Sequence, residues 1–292
     1  MLSLNVKRLT LSLIILLAAV NGWHAGYAHV LPQLLAAVSS AVILDAIFIF
    51  ADRKKLVWSD SAAITGLIAA GVAAPDSSVG RVAAIAVIAV FSKYLIKLDR
   101  RNVFNPAALG LLFGALFLGV RLSWWMDGNH PLTIIAGSLL LAKFANRWRS
   151  ILAFLAVFAV LIAGRAWYLG QPPVLELYLS AGITSFFVFF MLTDPKTSPV
   201  LPASLPAFAA VAAAGSFLSV VYHPGSIFLA GLLLANLSAV WLNRRGLRRM
   251  SEARAAAASL AATRAAAAAT GTGAGVGPSG QPAGPGPAAG AV

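Results

Sequence analysis

About ten apolar segments, separated by short polar turns, run through the first 245 residues, and their lengths fix the class of fold. An α-helix needs about 20 residues to cross the ~30 Å hydrocarbon layer of a bilayer, and helices and closed barrels alone satisfy their backbone polar groups there. The segments cover roughly 9–27, 31–50, 61–74, 82–98, 104–120, 132–144, 151–164, 174–192, 205–222 and 227–242, the third and sixth being short. Composition agrees, with 60% hydrophobic and 11% charged residues, where a soluble domain carries about 25% charged. The sequence therefore predicts an all-α polytopic membrane protein whose partner is the lipid bilayer.

Charge supplies the topology. The chain holds 22 Lys and Arg against 9 Asp and Glu. On a soluble surface such an excess suggests nucleic acid; here the cations sit between apolar segments, so they mark cytoplasmic loops and no nucleic-acid partner is expected. With the N-terminus inside, the inner ends carry Lys7 and Arg8, then Arg53, Lys54 and Lys55, then Lys97, Arg100 and Arg101. They continue with Lys143, Arg147 and Arg149, then Lys196, then Arg244, Arg245, Arg248 and Arg249, while the outer ends carry only Arg81, Arg121 and Arg165. The asymmetry requires every segment to span, including the short ones. Trp23, Tyr27, Trp124, Trp125, Trp167, Tyr168 and Tyr222 fall at outer ends, as an interfacial belt does. The expectation is an even number of spans with both termini cytoplasmic. A cleavable secretory signal in the first segment is the weaker reading, because losing one span reverses every later loop. Residues 1–8 then form a cytoplasmic N-terminus and 9–245 the membrane domain. After Met250 the composition turns to Ala, Gly, Pro and Thr without apolar periodicity, so 246–292 reads as a disordered tail.

Two polar blocks interrupt the apolar pattern, NVFNPAALG at 102–110 and FFMLTDPKTSP at 189–199. Asn105 followed by Pro106 suits a helix start, an Asx cap before a proline at the first helical position. That explanation suffices structurally; the functional alternative is that a helix start at membrane depth aims its free N–H groups at an anionic or electron-rich ligand. Asp194-Pro195 repeats the device in the second half, and three further prolines up to Pro206 keep that backbone non-helical. Two short helices, DSAAITGLIAAG at 60–71 and PLTIIAGSLLLA at 131–142, carry Gly, Ser and Thr. Either close packing explains them, or they are the interrupted spans that mark a central site in inverted-repeat membrane proteins. The second reading gives an architecture of about five plus five helices in two inverted repeats.

Asp45 lies inside the second segment, where a carboxylate either snorkels to the interface or pairs with Arg53 two turns away; Lys93 has the same ambiguity above Lys97. His24, His29, His130 and His223 fall at outer loops without metal spacing. There is no cysteine, so this chain supplies no disulfide, thiolate metal ligand or cysteine nucleophile. No phosphate loop, HExxH or Ser-His-Asp pattern points to a hydrolase.

The segments DSAAITGLIAAG, FSKYLIKLDRRNVFNPAALG, AGSLLLA, FFMLTDPKTSP and HPGSIFLAGLLLANL, in this order, resemble the membrane D subunit of the Rnf electron-transport complex. They are also similar to the B subunit of the sodium-translocating NADH:quinone oxidoreductase. The resemblance implies a fold like that of urea transporters in a bacterial inner membrane, a flavin as cofactor, and other membrane redox subunits as partners. By position it implies that Asp60, Ser61, Thr65, Asn105, Pro106, Asp194, Thr197 and Ser198 line a central region between the repeats, with no residue expected to be catalytic or to bind metal. Family members that carry covalent FMN attach it to the Thr of an SGAT-like motif after the NPA helix. This chain has WMDGNHPLTI there, keeping Asp127-Gly128, and Thr133 sits in a helix start. FMN or riboflavin held without a covalent bond is therefore the expectation. The alternatives are a small-molecule or ion transporter without a redox group, or an accessory membrane protein of an enediyne-type biosynthetic cluster.

Overall fold

The computed structural model describes residues 6–55, 57–98, 101–128, 130–142, 147–172, 185–222 and 228–271. Arg100, Lys143, His223, most of the 174–192 segment and the last part of the tail, 272–292, lie outside the described residues. Contacts divide the chain into two compact units, Met1–Gly246 and Leu247–Val292.

The described residues of the first unit are helical apart from one short hairpin and connecting turns. Helix α1, Val6–Ala25, passes directly into α2, Tyr27–Arg53, through Gly26 at φ 83°, a left-handed conformation that glycine adopts without steric cost. Helices α3, Asp60–Val72, and α4, Val79–Leu95, are capped by the hydroxyls of Ser59 and Ser78, which accept from Ala62 N and Arg81 N. Strands β1, Lys97–Leu98, and β2, Arg101–Asn102, pair antiparallel, Lys97 opposite Asn102. Helix α5, Pro106–Phe117, follows, then a 3-10 turn at Trp125–Asp127 and α6, His130–Leu141. Helix α7, Trp148–Tyr168, a π-helical turn at Phe187–Met191, α8, Leu205–Tyr222, and α9, which begins at Leu229, complete the unit.

Among the described residues, four helical runs are long and apolar enough to cross a membrane: α1, α2, α7 and Pro202–Tyr222. Helices α3, α5 and α6 are apolar but have only 13, 12 and 12 residues, so at 1.5 Å per residue they rise about 20 Å or less, short of the full layer. Helix α2 turns Val30, Gln33, Ala37, Ala41 and Asp45 inward at helical spacing and packs against α3 and α4. Its Leu35, Ile43 and Ile47 face outward, as do Leu152 and Val160 of α7, a surface suited to lipid rather than water. Close approach depends on missing side chains: a Cβ on Gly110 would lie 2.5 Å from the Ile85 carbonyl oxygen, so α5 meets the α4 backbone there.

Three expectations change. Trp124 and Trp125 are buried, not interfacial. Trp124, at φ 52°, sits edge-on to Phe186, Phe187 and Phe228, and the Trp125 indole donates to the Ala70 carbonyl at 2.8 Å. Trp23, Tyr27, Trp167, Tyr168 and Tyr222 remain exposed. Asp45 pairs with Lys93, not Arg53. Helix α9 extends to Gly271, so the second unit is helical through that residue where a disordered tail is expected from 246. The reason is propensity: 253–269 is largely alanine, the strongest helix former, which a search for apolar periodicity does not register.

Candidate functional site

Helix α5 begins as its sequence dictates. The Asn105 side chain accepts from Ala108 N at 3.1 Å, and Pro106 occupies the first helical position, where its missing N–H costs nothing. The remaining N–H groups of that first turn point back toward the residues before it, and α3 presents its own start beside them.

The second polar block folds onto itself. One Asp194 carboxylate oxygen accepts from Lys196 N at 3.0 Å and the other from the Thr197 hydroxyl at 3.2 Å. The Asp194 carbonyl accepts from Ser198 N at 3.1 Å and from the Ser198 hydroxyl at 2.6 Å. These bonds explain how a proline-rich segment stays ordered without a helix. Residues from elsewhere then clasp it. Arg101 donates to the carbonyls of Pro195 and Ser198 at 2.6 and 2.9 Å, and Arg147 donates to the Ser198 hydroxyl. Asn236, fully buried on α9, accepts from Asn105 N at 2.8 Å and donates to the Thr197 carbonyl at 3.3 Å. One amide thereby ties the two polar blocks together.

Between them lies a cavity of about 290 Å³. Ser61 and Thr65 of α3, Asn105 and Pro106 at the start of α5, and Asp194 of the second block all line it, so the structure brings together five of the eight residues expected at a central site. The other three support it from outside the lining. Asp60 accepts from the Trp58 indole at 2.8 Å and lies 4.0 Å from Arg8, while Thr197 and Ser198 are spent within the Asp194 turn. Lys7 and Thr10 of α1, Asn102, Phe190 and Lys196 also line it and were not anticipated. Phe190 lies in the π-helical turn, a distortion that often accompanies sites. Asn236 had a legible signal, an amide alone in the apolar run GLLLANL; Arg101 and Arg147 were read only as topology charges.

The electrostatics favour an anion or electron-rich group. Two helix starts and the ammonium groups of Lys7 and Lys196 face one carboxylate, Asp194, whose oxygens are already engaged. Burial, and next the nearby Lys7 charge, lower the Lys196 pKa from its ordinary value, and burial likewise lowers that of Arg147. Both effects are relieved by a bound anion.

A separate cluster lies at the other end of α3, where Ser123 N and Trp124 N donate to the Val72 carbonyl. Asp127 is buried there, accepting from Phe186 N at 3.0 Å and from the Thr133 hydroxyl, with His130 at 3.6 Å. Thr133 is fully buried and engaged with this carboxylate. Desolvation raises the Asp127 pKa from 3.8 to about 6. Because the folded state holds this proton more tightly than the unfolded chain, the stabilisation is full below 3.8 and is lost as pH rises through about 6. Asp127→Asn is therefore expected to flatten the fall in thermal midpoint across that window; a variant with the unchanged slope would assign the slope to another group.

No family model matches the chain, and no curated protein matches it.

Proposed function

We propose that this chain is a membrane subunit of a flavin-dependent electron-transport system coupled to ion translocation, of the kind its motifs resemble. In this reading the cavity holds FMN or riboflavin without a covalent bond, the chain sits in the bacterial inner membrane with both termini cytoplasmic, and other redox subunits supply and remove electrons. The observation that carries it is the Asn236 amide joining the NPA helix start to the TDPKTSP block beside one cavity. The donor set suits the group: the polar chains of Ser61, Thr65, Asn102 and Asn105 and the two ammonium groups match the carbonyl-rich edge of a flavin, and Ile64, Ile68, Leu140 and Phe190 offer apolar contact to its rings. When bound, a flavin supplies one- or two-electron transfer; the protein binds and orients it.

The inverted-repeat reading has its own support. In the first half α2 packs on α4, the second and fourth helices; in a five-plus-five count α7 and α8 are the second and fourth of the other half, and they too pack extensively. Lys7, Lys97, Arg101, Arg147 and Lys196 gather around one end, as cytoplasmic cations do.

Asp194→Asn tests the site. Asparagine has one oxygen where aspartate has two, so either the Lys196 N–H or the Thr197 hydroxyl loses its acceptor, a charged hydrogen bond contributing about 1.5–3 kcal/mol. Flavin content and redox activity are expected to fall about tenfold or more with expression unchanged, read from the blue absorbance of the purified protein. Activity and flavin at the original level would reduce the block to a connecting loop. A parent protein without flavin colour would favour the transporter or accessory reading, which the burial of Thr133 also suits.

A further inference from the structure

We propose that one end of the first unit carries a belt of cation and aromatic pairs that collects anionic phospholipid, its partner being a phosphodiester headgroup of net negative charge. The proposal rests on the bilayer setting that the apolar helices suit, and it is independent of what the cavity holds.

Among the described residues, four cations rest over aromatic rings. Lys54 Nζ lies 6.0 Å from the centre of Phe50 and Lys97 Nζ 4.4 Å from that of Tyr94. The Arg149 guanidinium lies 5.7 Å from the Trp148 ring and that of Arg245 5.0 Å from Trp241. Contacts place all four pairs at the same end. Tyr94 stacks on Phe48, near the finish of α2 where Phe50 and Lys54 stand, with ring centres 4.1 Å apart. The hairpin that carries Lys97 also carries Arg101, which donates to the Pro195 and Ser198 carbonyls. Arg147, beside Trp148, donates to the Ser198 hydroxyl, and Asn243, between Trp241 and Arg245, accepts from Val200 N at 2.8 Å. Three pairs are thereby tied to the stretch 195–200, and the fourth is tied to them through Tyr94. The exposed rings of Trp23, Trp167, Tyr168 and Tyr222 stand at the opposite ends of α1, α7 and α8.

The chemistry selects the lipid. Phe50, Trp148 and Trp241 are 48%, 51% and 57% exposed, and aromatic rings on a membrane protein settle at headgroup depth. A cation held over such a ring stands among the lipid phosphates. Lys54, Arg149 and Arg245 are exposed themselves, so their N–H groups are open to those oxygens, which the arginine fork takes in pairs. A zwitterionic headgroup brings its own ammonium, which the belt repels and which competes for the ring faces. A headgroup of unbalanced negative charge meets no such opposition and gains from each cation near the surface. Asp52, 3.6 Å from Arg53, and Asp60, 4.0 Å from Arg8, are carboxylates already matched by other cations.

The test releases the full-length protein from nanodiscs of equal parts phosphatidylglycerol and phosphatidylcholine and counts the lipids it retains by native mass spectrometry. Phosphatidylglycerol is expected to be retained at about a fivefold excess, as one well-placed cation implies, and the excess is expected to shrink when the nanodiscs are prepared at high salt. The triple variant Lys54→Gln, Arg149→Gln, Arg245→Gln is expected to lose most of the excess. Lys54→Arg with Arg149→Lys and Arg245→Lys is expected to keep it, which separates charge from any effect on folding. Arg81→Gln, at the start of α4 and so at the other end, is expected to leave it unchanged. Equal retention of the two lipids overturns the proposal. So does an excess that survives the triple glutamine variant, or one that Arg81→Gln removes as well, since the charge recognised would then lie elsewhere.

Discussion

Lys93→Met is expected to destabilise the protein by about 3–5 kcal/mol, the usual effect of stranding one member of a buried ion pair. Lys93 Nζ lies 3.3 Å from an Asp45 carboxylate oxygen, and the two side chains are only 8% and 6% exposed. The Tyr94 hydroxyl donates to the same oxygen at 3.1 Å. The pair joins α4 to the inward stripe of α2, and the carboxylate left behind by the substitution has only a phenol to satisfy it in a low-dielectric setting. The thermal midpoint in detergent is expected to fall by roughly 10 °C. Removing both charges, with Asp45→Leu added, is expected to restore most of the loss, because the pair's mutual attraction does little more than offset its own desolvation. A single variant as stable as the parent would mean that water reaches the pair and solvates the orphan.

Asn236→Leu is the second large effect. The substitution leaves the Asn105 N–H and the Thr197 carbonyl buried without a partner, at about 1–3 kcal/mol each. Leucine is close in volume, so the loss falls on polar satisfaction rather than on packing. The two blocks lose their common tie, and flavin affinity is expected to drop more than tenfold while the membrane helices still form. Asn236→Asp, which keeps the acceptor for Asn105 N and loses the donor to Thr197, is expected to fall between the parent and Asn236→Leu in binding. Retained binding in Asn236→Leu would show that Arg101 and Arg147 hold the second block in place by themselves.

What was legible in the sequence was what local physics decides. Asn105 and Pro106 announce their helix start because cap and proline act within one turn, and α3 opens at Asp60, where the segment at 60–71 places it. The blocks at 102–110 and 189–199 were visible as a pair of interruptions, and five of the expected residues do share one cavity. Long-range partners were not legible. Asp45 has Arg53 close in sequence and Lys93 close in space, 48 residues away, and only packing of α2 on α4 decides between them. Trp124 and Trp125 carry the composition of an interfacial belt, yet a left-handed turn carries Trp124 into a cluster of phenylalanines. Whether α3 and α6 cross was not legible in segment length, since an apolar run marks burial in lipid or protein alike.

The shortness of α3 has an electrical corollary. A 13-residue helix that meets one face of a ~30 Å apolar layer stops about 10 Å before the other. In the proposed membrane setting, charge reaching the cavity at that depth would traverse about a third of the transmembrane voltage, roughly 0.8 kcal/mol per elementary charge at 100 mV. Anion occupancy would then follow how strongly the cell polarises its membrane.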